Sequence, residues 1–91
     1  MNAQETQLFR DTIMMSVQRY PRGLTLFSID TALRASGYRH FGERDLEGHI
    51  HYLVDKGFMA EVPKTHTPQL QMWRLTAAGT DDLAKRGLSD A

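Results

Sequence analysis

The chain has 91 residues, 41% of them hydrophobic and 24% charged, with eleven basic residues balanced by eleven acidic ones. That length fits one domain rather than two and leaves little room for a large catalytic cleft, since a chain of this size buries roughly 60–65% of the surface its unfolded form exposes. The absence of cysteine excludes a disulfide framework, a thiolate zinc site and a thiol nucleophile, and zero net charge argues against a basic tail that binds nucleic acid without specificity.

The pattern predicts a first helix over 5–20, where Phe9, Ile13, Val17 and Tyr20 recur at spacings of four, four and three, and Pro21 and Gly23 stop it. Leu8 and Met15 lie to one side of that stripe and Met14 to the other, so the apolar surface is wider than one core contact needs. The surplus is expected either to be wrapped or to form a homodimer through Leu8, Met14, Met15 and the C-terminal helix with Leu83 and Leu88. Residues 24–26 read as a brief extended segment and Ser28 as a helix cap. Ile29, Ala32 and Leu33 form the buried side of a two-turn helix that Gly37 ends.

A longer helix is expected from near Glu43, with Leu46, Ile50, Leu53 and Val54 inward, ending at Gly57. Residues 58–62 and 70–75 read as a hairpin with a polar tip over 63–69. Thr76 is placed as the cap of a last helix over 77–86, whose early acids Asp81 and Asp82 and late bases Lys85 and Arg86 suit the helix dipole; Gly87 ends it. Met14, Met15, Met59 and Met72 read as gap-filling core residues, Trp73 packs beneath the hairpin, and Arg74 marks the wet side of its strand. No apolar run suits a signal sequence or a membrane span, so a soluble, cytoplasmic protein is expected.

Two phrases carry a family resemblance. Leu53-Val54-Asp55-Lys56-Gly57-Phe58-Met59 resembles the junction between recognition helix and wing in winged helix-turn-helix domains. Trp73-Arg74-Leu75-Thr76-Ala77-Ala78-Gly79 is similar to the segment that closes the wing and opens the last helix in small prokaryotic and bacteriophage regulators, including relatives of the ArsR and MarR families. The order of elements extends the resemblance to nearly the whole chain. It implies an α+β, mainly α fold, with a three-helix core, a two-stranded wing and a C-terminal helix in a single domain over 1–91. It also implies a non-enzymatic transcriptional regulator that binds double-stranded DNA, third helix in the major groove and wing on the phosphate backbone. Winged helices also serve as protein-interaction modules, so a module of a bacteriophage or mobile element that does not bind DNA is the alternative.

On a helix starting near Glu43, the 100° advance per residue puts Arg44, Gly48, His51, Tyr52 and Asp55 opposite the buried stripe. In a major groove Arg44 would reach a guanine edge, Gly48 would admit close backbone approach, and His51 would meet a base or phosphate. Gly48 costs about 1 kcal/mol relative to alanine in a helix interior, which close packing on another helix would justify as well as DNA would. Arg39, His40, Lys64, His66 and Arg74, on the turn and the wing, suit phosphates.

Glu47 and Asp55 oppose that reading, because carboxylates repel phosphates; the alternative is solvated charges and internal pairs such as Arg44 with Glu47. His49 and His51 form a His-x-His pair, but residues two apart on a helix diverge by about 200° and cannot chelate one ion, so no metal is expected and His49 is placed at the core margin. Ser28 and Asp30 are explained as helix-start residues, no phosphate-binding glycine loop is present, and neither enzymatic activity nor a cofactor is expected.

Overall fold

Asn2 starts the first helix by accepting the Glu5 N–H on its Oδ1 at 2.8 Å. In the computed structural model, which describes residues 1–63 and 71–88, α1 therefore spans Ala3–Gln18, starting and stopping two residues before the expected range. Tyr20 lies beyond it and is 54% exposed, so it does not belong to the buried stripe. There follow β1 (Leu24–Thr25), α2 (Leu26–Ala35), α3 (Glu43–Asp55), β2 (Met59–Glu61), β3 (Met72–Leu75) and α4 (Ala77–Lys85). The fold is α+β and mainly helical, as expected.

The wide apolar surface of α1 is wrapped within the chain, because α1 packs against α2, α3, α4 and β3. Met14 is 1% exposed and Leu83 fully buried. Both are spent on the core, so of the expected alternatives the wrapped one accounts for these two residues and neither is exposed for a homodimer face. Met15 and Leu88 are partly buried against the same core, and only Leu8, 57% exposed, remains outward from the set. Asp11 is nearly buried between α1 and α4, where its Oδ1 accepts from Gln7 Nε2 at 2.9 Å and pairs with Arg86 Nη1 at 2.7 Å.

Leu26 is already helical, and Thr25 rather than Ser28 caps α2. Thr25 keeps extended backbone and its Oγ1 accepts the Ser28 N–H at 3.2 Å. Thr25 and Ser28 each carry a hydroxyl able to cap a helix start, and β1 pairing favours Thr25 by holding it extended. β1 pairs antiparallel with β3, Leu24 opposite Trp73, and β3 pairs antiparallel with β2, Met59 opposite Leu75. The sheet is thus three-stranded in the order β1-β3-β2 rather than a two-stranded hairpin. Gly23, at φ +105°, lets the turn into β1 lie on that sheet: a Cβ there would sit 2.9 Å from both the Trp73 carbonyl oxygen and the Val62 side chain.

On β3, Trp73 is buried and Arg74 exposed, as strand alternation requires. Thr76 caps α4 by accepting the Gly79 N–H at 3.1 Å, and its own hydroxyl donates to the Gly57 carbonyl at 2.6 Å, which docks α4 on the end of α3. The first turn of α4 carries no acid; Asp82 instead pairs with Arg86 one turn on, at 2.7 Å. Among the described residues no helix is long and apolar enough to cross a membrane.

Candidate functional site

The orientation of α3 follows from three buried residues. Leu46, Ile50 and Leu53 enter the core, and the Asp45 carboxylate returns to the Gly42 N–H to close the helix start. Helical periodicity then puts Arg44, Gly48, His51 and Asp55 outside, and all four are exposed. Arg44 enters no ion pair among the described residues, and the expected pair with Glu47 does not form. Among the described residues a Cβ on Gly48 would meet nothing within 4 Å, so packing against another helix of this chain does not account for that glycine.

Tyr52 belongs elsewhere. It turns toward α1, where the Arg10 guanidinium lies 3.6 Å from its ring centroid, and it is only 39% exposed. Arg39 and His40 line a groove of about 230 Å³ with Met1, Glu5 and Leu8 at the start of α1. Both residues of the turn thus sit beside the start of α1. Arg74 is exposed on β3, opposite Ala60 of β2. Lys64 and His66 lie outside the described residues.

The two histidines of the His-x-His pair part company. His49 sits half-buried against Phe9, ring centroids 4.9 Å apart, and its Nδ1 accepts from Arg10 Nε at 3.1 Å. His51 points to the opposite flank of α3. Among the described residues no three histidines or carboxylates gather around a possible metal position.

An Nδ1 that accepts must belong to a neutral imidazole with its proton on Nε2. Burial, and then the Arg10 charge, hold the His49 pKa below its ordinary 6.5 against a smaller opposing pull from Asp45. The unfolded chain therefore takes up this proton more readily than the folded one. The stability that neutral His49 contributes is present above about pH 6.5 and is lost as pH drops from there toward the lower folded-state value. Urea midpoints at about pH 7.5 and 5.5 should show that fall in the native chain and a smaller one in His49→Gln. Equal slopes in both would remove His49 from the account.

The feature that sequence reasoning missed is a cleft of about 690 Å³ between α2, α3 and the sheet. Phe27, Asp30 and Arg34 line it from α2, Glu43, Glu47 and His51 from α3, and Trp73 from β3. Phe27 is 79% exposed. Its position was open to inference: it lies two residues before Ile29, about 200° away around the helix, so burying Ile29 and Leu33 turns Phe27 out. Comparison of the chain with protein-family models and with curated proteins finds no match.

Proposed function

We propose that this chain is a winged helix-turn-helix protein that binds double-stranded DNA, with α3 in the major groove and the β2–β3 segment on the phosphate backbone. Gly48 is the observation that carries this reading. A glycine in the middle of a regular helix gives up about 1 kcal/mol of helix stability. No neighbour among the described residues offsets that, since the space where its Cβ would lie is open. A partner that needs the α3 backbone close accounts for it, and Arg44, exposed one turn before, supplies a donor fork for a guanine edge or a phosphate. The three-stranded sheet and the helix pair α2–α3 support the same reading, as does the outward Arg74.

Gly48→Gln separates the partner's requirement from the fold's. Glutamine is the better helix former and its Cβ would meet nothing within 4 Å among the described residues, so the variant should be more stable by about 0.5–1 kcal/mol. Its affinity for duplex DNA should nevertheless fall, because the longer side chain holds the helix off the groove. A variant both stabilised and unchanged in DNA affinity would sink the reading. One feature favours the second reading, a protein-interaction module: Glu43 and Glu47 flank the proposed DNA face of α3 and repel phosphates.

A further inference from the structure

The cleft between α2, α3 and the sheet has a chemistry opposite to what a phosphate needs. Its one arginine, Arg34, is committed within the chain: Nε donates to Asp30 Oδ1 at 2.6 Å while the guanidinium lies 4.5 Å from the Phe41 ring centroid. That pair neutralises Asp30. Glu43 and Glu47, one turn apart on α3, face the same cleft and enter no ion pair among the described residues. Against these open acceptors stands Phe27, the most exposed large hydrophobic residue of the described chain at 79%, with the partly buried Leu26 beside it. The space, about 690 Å³, lies within the ~300–1,000 Å³ typical of ligand pockets.

Phe27 and the carboxylates are separate observations that point to one ligand. An apolar partner alone would leave the carboxylates unanswered, and a bare cation would leave Phe27 in water. We propose that this cleft is a docking site for a polypeptide segment that presents an arginine beside an apolar side chain. The guanidinium bridges Glu43 and Glu47 and its plane stacks toward Phe27, while the neighbouring apolar side chain covers Leu26 and Phe27. Arginine fits better than lysine because its planar fork serves two carboxylates at once and is less strongly hydrated. Nucleic acid does not fit, since its phosphates meet carboxylates here.

This inference does not depend on the DNA reading. Glu43 and Glu47 each lie about 100° around α3 from the adjacent Arg44 and Gly48. His51 borders both surfaces, so a segment seated in the cleft competes with a duplex for that flank of the helix.

The probe is the blocked tetrapeptide acetyl-Leu-Arg-Leu-Arg-amide, titrated into the isotope-labelled full chain while backbone amide shifts are followed. Saturable shifts should cluster at Phe27, Glu43 and Glu47. Affinity should fall about tenfold in the double variant Glu43→Gln/Glu47→Gln, and the lysine version of the peptide should bind several-fold more weakly. Phe27→Ala, at a surface position, provides an independent second variant that should also weaken binding. Absence of saturable shifts, shifts centred elsewhere, or equal affinity in native and both variant chains would overturn the proposal. The same double variant should bind duplex DNA more tightly, because two repelling charges are gone. The two readings thus predict opposite signs for one protein and fail separately.

Discussion

Phe9→Ala should cost about 3–5 kcal/mol of folding stability, the range for truncating a fully buried aromatic residue. Phe9 is completely buried on α1 and meets three rings at once, Tyr38 at 5.1 Å, Phe41 at 5.3 Å and His49 at 4.9 Å between centroids. The first two contacts are edge-on, the arrangement that adds to plain area burial. The ring therefore holds the turn between α2 and α3 as well as α3 itself against α1. A domain of this size has about 5–15 kcal/mol of stability in total, so the variant should be largely unfolded in modest urea while Phe9→Leu remains cooperative. A loss below about 1 kcal/mol by urea denaturation would contradict the central placement of this ring.

Gly79→Ala should cost about 3 kcal/mol, the upper part of the range for forcing an atom into a filled site. Helix propensity alone predicts the opposite sign, a gain of about 1 kcal/mol. Packing wins because a Cβ at Gly79 would be driven into the Phe58 carbonyl oxygen and would sit 3.0 Å from Leu75 side-chain carbons. The Phe58 carbonyl is backbone just before β2 and already accepts the Thr76 N–H at 3.0 Å, so it has no room to withdraw. Relief would come only by lifting α4 off, which also strains the Thr76–Gly57 and Asp11–Arg86 links. Thermal or urea denaturation decides the sign directly. The contrast with Gly48 is informative: two helical glycines of one chain respond oppositely because one faces open space and the other a carbonyl.

What the sequence disclosed, and what it hid, divides along the range of the interaction. Helix α3 was legible because Leu46, Ile50 and Leu53 mark its buried stripe locally and Gly57 its end. The cap on α4 was legible because Thr76 sits just before its first helical residue. β1 was seen as extended, but its pairing with β3 was not, since a two-residue strand has no periodicity and its partner lies far along the chain. Met14 reads as a core residue and is buried in the core, while the elements that wrap α1, α4 among them, lie far along the chain from it.

The candidate site was legible in outline. The exposed residues Arg44, Gly48 and His51 follow from helical phase, whereas Tyr52, on the margin of that face, was captured by Arg10 from another helix. The placement of Arg39 and His40 beside the start of α1 depends on how the turn folds back, which no local pattern specifies. The cleft required two helices and a sheet to be brought together, and only Phe27's outward phase was written in one segment.

The claim that α3 is a DNA-reading element is tested most directly by fluorescence anisotropy of a labelled random-sequence duplex at low and at physiological salt. Native protein and the triple variant Arg39→Ala/Arg44→Ala/Lys64→Ala are measured side by side. Native protein should bind in the micromolar range with an affinity that weakens steeply with salt, and the triple variant should bind more weakly with a shallower salt slope. No binding at low salt, or a triple variant indistinguishable from the native chain, would contradict it.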